Sequence, residues 1–187
     1  MIFETIIVST DEEGMAHVTP FGIQYEGDLV MISPYKPSTT LHNILAVKTA
    51  TMNLTDDVRI FAGALTQRQP WHLLPANQIK GFRLANSLSH VELSLIEVRE
   101  DAERPQLLLQ TVETQHHAGF KGFNRAQAAV IELAVLASRL HLLPAEKIQS
   151  EMAYLQIAID KTAGEREQEA WGWLVTKINQ YYQENTR

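Results

Sequence analysis

Apolar and polar residues form short alternating or clustered runs up to about residue 118, then settle into long helical stripes. Phe3 to Ser9 is rich in β-branched residues and ends at Thr10-Asp11-Glu12-Glu13-Gly14, a turn cluster, so it predicts a strand. Ala16 to Ile23 resumes the pattern as AHVTPFGI. Pro20 in it cannot donate a ladder hydrogen bond, which predicts an edge or a bulge there. Glu26-Gly27-Asp28 turns the chain into a third strand, Leu29 to Ile32. A short helix is predicted over Thr40 to Val47 and a strand over Thr49 to Leu54. Thr55-Asp56-Asp57 offers a cap to a second helix from Val58 to Leu65. Residues 66–90, which include Pro70 and Pro75, carry no strong period. Val91 to Glu100 alternates as VELSLIEVRE and Gln106 to Thr114 is again strand-like, which predicts a hairpin.

The pattern changes at Gly119. Asn124 is a natural N-cap, and Ala126 to Leu143 is apolar on nearly every side, as in a largely buried helix that Pro144 ends. Ile148, Met152, Leu155 and Ile159 then share one helical stripe, with Gly164 placed to close that helix. A third helix from Glu165 carries Trp171, Leu174, Ile178 and Tyr181 at similar spacing. Three such helices bury one another as a small bundle. The expected class is α+β, with a β-rich domain over 1–118 and a helical domain over 119–187.

Composition narrows the chemistry. The 187 residues are 45% hydrophobic and 20% charged, which suits a globular protein with a real core. A net charge of −6 without a basic stripe argues against nucleic acid as a partner. Cysteine is absent, which removes disulfides, thiolate nucleophiles and Cys-ligated metals. No signal peptide and no run of membrane-spanning length stand out, so no membrane partner and a cytoplasmic location are expected.

Several familiar sites are missing from the sequence. None of the seven histidines has a zinc spacing, and the most ligand-like pair is His116-His117. Adjacent residues at a strand end point opposite ways, so no metal site is expected there. A G-x-S-x-G elbow, a Walker loop and a G-x-G-x-x-G loop are all lacking. Glu92, Glu97 and Glu100 are best read as a solvated strand face. Aromatic residues on the C-terminal helices read as core, whereas Phe120 and Phe123 lie in a Gly-flanked linker, GFKGFNRA.

The strongest local signal is SPYKPSTTLHN, Ser33 to Asn43, after an apolar strand. It gathers backbone N–H groups at a helix start with Ser/Thr hydroxyls and the Lys36 ammonium. A phosphate monoester needs that mixture, because its oxygens only accept hydrogen bonds and its charge favours a helix N-terminus. A capped turn with an exposed lysine has the same sequence. Arg125, at the start of a helix, opposes the dipole and is expected to answer an anion, either a carboxylate or a ligand phosphate.

Three segments, AHVTPFGI, DLVMISPYKPSTTLHNI and TMNLTDDVRIFAGAL, in that order, resemble the FMN-binding split-barrel superfamily. Within it the similarity is closest to a little-characterised archaeal and methylotroph family of flavoprotein-related proteins. There the barrel precedes a helical domain that opens with a segment like GFNRAQAAVIELAVLASR, and EMAYLQIAIDKTAGEREQEA also fits. The resemblance implies a six-stranded antiparallel split barrel, a homodimer, and FMN in a groove at the dimer interface. Carried over by position, it implies Lys36, Ser38, Thr39 and Thr40 at the phosphate, with Asn43 helping from the first turn. Thr19, Pro20 and Phe21 would lie along the isoalloxazine, and Ser33 and Asn53 would reach the ring or the ribityl chain. Asn124 and Arg125 are further candidates at the mouth of a substrate pocket.

The superfamily does not fix the reaction, since its members leave the hard step to the flavin. The leading expectation is an oxidoreductase passing electrons between FMN and a small organic substrate or redox partner. The alternatives are a non-enzymatic FMN-binding or carrier module in C1- or pterin-linked metabolism, and a structural dimerisation protein whose barrel has lost its cofactor.

Overall fold

The computed structural model describes residues 1–68 and 71–185. Residues 69–70 and 186–187, which the sequence expectations included, lie outside the described residues. The elements are β1 (Phe3–Thr10), β2 (Ala16–Glu26), β3 (Leu29–Ile32), α1 (Thr39–Val47), β4 (Thr49–Leu54), α2 (Arg59–Thr66), β5 (Leu73–Pro75), β6 (Phe82–Leu84), β7 (Ser89–Arg99), β8 (Gln106–His116), α3 (Arg125–Ala137), α4 (Ala145–Thr162) and α5 (Glu165–Asn185).

Six strands close a barrel in the order β1-β2-β3-β8-β7-β4, every pairing antiparallel. β5 and β6 form a separate two-stranded sheet. The closure leaves a gap. β2 runs beside β1 from Ala16 to Ile23 but meets β3 only over Gln24 to Glu26. Pro20 therefore sits in a stretch of β2 with a strand on one side alone, where its missing N–H costs no second ladder bond.

The barrel interior is filled by Ile7, Ile23, Ile32, Met52, Leu93, Leu107 and Leu109, together with Leu41 and Ile44 of α1. Alternation puts these residues on one face of each strand, and each buried aliphatic side chain contributes about 1.5–3 kcal/mol. The long β7–β8 hairpin departs from strict alternation at two register shifts, Glu92/Leu93 and Leu95/Glu97. Each shift inserts an extra residue and turns the following side chains over. Glu92 is fully buried under the backbone of Asn77, Gln78 and Ile79, which corrects the reading of a solvated face. Glu97 does pair at the surface with Arg99, and Glu100 with Lys36.

A second unit comprises residues 56–70 and 121–187, the first unit being 1–55 and 71–120. Within the 1–118 segment expected as one domain, α2 interrupts the barrel sequence and groups with the helices. The reason is its stripe, since Val58 and Ala62 join the core of Ala129, Val130, Leu133, Ile148, Trp171, Leu174 and Ile178. Helix α3 stops at Ala137 rather than Leu143. Ser138 turns its hydroxyl onto the Val135 carbonyl at 2.7 Å, and residues up to Leu143 continue as turns closing on Leu136 and Arg139. Gly164 does not close α4 in a left-handed conformation. Ala163 ends that helix in extended backbone, and the Gly164 N–H donates to Glu167 at 3.0 Å, opening α5 instead. Among the described residues no helix is long and apolar enough to cross a membrane.

Candidate functional site

The loop from Ser33 to Ser38 joins β3 to α1 and is fastened to the β7–β8 turn. The Lys36 N–H donates to the Glu103 carbonyl at 2.8 Å, and Arg104 Nε donates to the Ser33 carbonyl at 2.8 Å. Asp101 holds that turn by accepting the N–H groups of Glu103 and Arg104 at 2.9 and 2.7 Å, and those bonds put its carboxyl below the usual carboxylate range. Ser38 is the N-cap of α1, its hydroxyl accepting from the Leu41 N–H at 3.2 Å, while its carbonyl takes the His42 N–H at 3.1 Å.

Two first-turn N–H groups, those of Thr39 and Thr40, have no intrahelical acceptor. No acidic side chain stands in that first turn. The helix start therefore presents a partial positive charge, two amide donors and the hydroxyls of Thr39, which is exposed, and Thr40, which is buried. This is an anion-accepting corner, and its donors match phosphate oxygens.

Lys36 departs from the expected arrangement. Its ammonium donates to Glu100 at 3.0 Å and to the Asp101 carbonyl at 2.9 Å, so it clamps the loop to the hairpin. Arg104, which no sequence signal marked, is the other cation here. Its guanidinium lies 4.7 Å from the Tyr35 ring centre and forms no ion pair among the described residues. With Ser33, Gln24, Met31 and Gln106 it lines a mostly polar groove of about 250 Å³ on the outside of β2, β3 and β8. A charge in a turn such as ERPQ reads as solvated; only pairing of β3 with β8 brings it to Ser33.

The remaining expected residues separate into groups. Asn43 is buried, and its amide donates to Ser9 Oγ at 3.2 Å, pinning α1 to β1. Thr19, Pro20 and Phe21 lie opposite Ile7, Ile6 and Thr5, on the part of β2 that lacks a second strand, and Thr5 Oγ1 donates to the Phe21 carbonyl at 3.0 Å. Asn53 is fully buried and spent on the fold: its amide donates to Thr51 Oγ1 at 2.9 Å and its carbonyl accepts the Leu84 N–H at 2.9 Å. The structure thus gives Asn53 the job of tying β4 to β6.

In the helical unit, Asn124 caps α3 by accepting the N–H groups of Ala126 and Gln127 at 2.7 and 3.3 Å, and it donates to the Thr162 carbonyl at 3.0 Å. Arg125 is exposed and, among the described residues, makes no ion pair, so the expected carboxylate partner is absent. Phe120 and Phe123 are both well exposed.

An antiparallel six-stranded barrel, open along half of one strand and followed by helices, defines the chain as a split-barrel α+β protein. It belongs to the DUF447 family. Residues 3–118 match the model described as "Protein of unknown function (DUF447) N-terminal domain", and residues 124–176 match its C-terminal counterpart. The structure is similar to that of an FMN-bound DUF447 protein from Methanosarcina mazei, with a TM-score of 0.80 and 21% identity over 94% of each chain. It is also similar to 2-nitrobenzoate 2-nitroreductase of Pseudomonas fluorescens, with a TM-score of 0.54 and 18% identity over 61% of this chain and 64% of that one. Flavoredoxin from Methanosarcina acetivorans gives a TM-score of 0.54 at 8% identity over 62% and 69% of the two chains. No curated protein matches the chain in sequence.

Proposed function

We propose that this protein is an FMN-binding flavoprotein of oxidoreductase type that works as a homodimer. The observation that carries the reading is the start of α1, where two amide donors without an intrahelical acceptor gather with the exposed Thr39 hydroxyl and the buried Thr40 hydroxyl, with no acid in the first turn. That donor set fits the phosphate monoester of FMN. In this reading Thr39 and Thr40 hold the phosphate. Ser38 keeps the helix start in shape, and Lys36 acts at one remove by clamping the loop. The unpartnered edge of β2 at Thr19, Pro20 and Phe21 offers backbone groups to the polar edge of a flavin ring. Bound FMN would supply the electron-accepting and electron-donating chemistry.

Two further facts support the reading. The similar structures include an FMN-bound member of the same family and a nitroreductase. Ile2, Phe3 and Tyr25 are exposed on the outer side of β1 and β2, with the Phe3 and Tyr25 rings in edge contact at 5.8 Å, an apolar patch that a second copy would cover.

Titration of the cofactor-free protein with FMN, followed by quenching of flavin fluorescence, tests the cofactor. Saturable quenching is expected. Thr39→Val with Thr40→Val should weaken binding by about tenfold or more, each lost bond being one to a charged oxygen, with little change in the melting temperature of the cofactor-free protein. Absence of quenching, or equal binding by the double variant, would refute the site. Oxidation of NADH or NADPH by the loaded protein, and its sedimentation, test the activity and the dimer.

A further inference from the structure

A polar cluster lies on the β7–β8 hairpin, apart from the start of α1. His90 and Glu92 are two residues apart on β7, hence on one face, and both are fully buried. Glu92 accepts the backbone N–H groups of Asn77, Gln78 and Ile79 at 2.6, 2.7 and 3.0 Å. His90 Nε2 lies 3.2 Å from Glu92 Oε1, and His90 Nδ1 lies 2.9 Å from Nε2 of His117. His117 itself is exposed, just past the end of β8, its backbone N–H fixed on the Leu88 carbonyl at 2.8 Å. A buried carboxylate is thus wired through a buried imidazole to a surface imidazole.

The network dictates where the protons sit. A carboxyl group taking three amide N–H bonds and an imidazole contact is ionised and only accepts. His90 Nε2 must then be the donor toward Glu92, which leaves His90 Nδ1 as an acceptor in the neutral ring. His117 Nε2 must in turn donate to it, and the lone pair of His117 Nδ1 is left for an outside proton. These tautomers are assigned from the hydrogen bonds.

We propose that Glu92, His90 and His117 form a proton relay, with His117 Nδ1 as the outlet of a general-base site at the open end of the β7–β8 hairpin. When Nδ1 takes a proton from a ligand, the Nε2 proton of His117 passes to His90 Nδ1. His90 becomes the imidazolium beside the Glu92 carboxylate, and His117 returns to neutrality as its other tautomer. Glu92 stays ionised throughout, and no electrons move. The surroundings drive the proton inward. Arg83 and His116 lie near His117, and lost hydration, followed by repulsion from the Arg83 guanidinium and from any proton placed on His90 or His116, holds its ring below the usual imidazole range. His90 instead faces a carboxylate. On β8, Gln115 stands opposite His90, and Glu113 stands opposite Glu92 while accepting from Gln115 Nε2 at 2.9 Å. Arg83 donates to the Leu84 carbonyl at 3.2 Å and forms no ion pair among the described residues. The ligand class that fits is a small anion able to give up a proton. The relay does not depend on the barrel holding FMN.

Nitrogen-15 NMR of the histidine rings in the cofactor-free protein tests this directly. At pH 8 both His90 and His117 should carry their proton on Nε2, with a coupling across the hydrogen bond between His117 Nε2 and His90 Nδ1. In His117→Gln, an exposed substitution, the Nδ1 signal of His90 should shift as its imidazole donor is lost, while its Nε2 keeps its proton. Inorganic phosphate, used as the anion probe, should shift the His117 ring signals, and Arg83→Gln should abolish that response. A proton found on His90 Nδ1, or no coupling between His117 Nε2 and His90 Nδ1, would overturn the relay. Silence of the His117 signals to phosphate would overturn the anionic ligand.

Discussion

Asn53 uses both ends of its amide inside the barrel wall, donating to Thr51 and accepting from the Leu84 N–H. Asn53→Leu keeps the volume but strands that N–H, so it should cost about 1–3 kcal/mol in urea unfolding. An effect confined to flavin affinity would show that the side chain serves a ligand instead. Glu92 makes the same point with a charge. Burial pushes its carboxyl up, but the N–H groups of Asn77, Gln78 and Ile79, with His90, outweigh that and hold it below the ordinary value of 4.5. A carboxyl lowered by folding stabilises above its unfolded pKa and loses that contribution as pH falls through the folded one. Acid unfolding should therefore show a wild-type advantage over Glu92→Gln that is full at pH 6 and shrinks below about pH 4.5. An advantage unchanged down to pH 2 would contradict this. Neither role is visible in the sequence, because TATMNL and VELSLIEVRE tell which positions alternate and not which face another segment will cover.

At the scale of elements, most helices and strands are marked by their own residues. Leu29–Ile32, Thr49–Leu54 and Ala145–Thr162 occur where periodicity put them, since each has clear turn or proline punctuation at its ends. The misplaced ends are those where a cap is tertiary or the turn is ambiguous. Ala126 to Leu143 is uniformly apolar, so nothing local announces that α3 stops at Ala137. In the helical unit, Trp171 joins burial to a bond, its indole N–H donating to Gln156 of α4 at 2.9 Å. Trp171→Ala should destabilise by about 3–5 kcal/mol in calorimetry or denaturant unfolding, while Trp171→Phe should recover most of the packing but not the indole bond. Equal losses in the two variants would assign the stability to the bond alone.

For the whole molecule, the chain passes from barrel to helical unit at Asp56, returns at Trp71, and leaves again at Lys121. Both units have their own apolar core, one around Ile7 and Leu107 and one around Leu133 and Leu174. If FMN is the ligand, it binds the folded state alone, and stability should rise with the logarithm of free FMN. The gain is about 2.7 kcal/mol at a free concentration about a hundred times Kd. A melting temperature indifferent to FMN would reject the cofactor at this scale, whatever individual substitutions do.

The sequence alone determined the six barrel strands, the main helices, the α+β class and the anion-suited helix start, because periodicity, caps and turn residues are local physics, whereas β5 and β6 carry no such local signal. Family resemblance supplied the proposal of where along the chain a flavin would bind. What the tertiary structure decided is which polar groups remain available. Strand pairing brought Arg104 to Ser33, took Lys36 to Glu100, spent Asn53 on Leu84 and joined His117 to His90, residues far apart in sequence. A buried polar group must find a partner, and only the closed barrel says where that partner is.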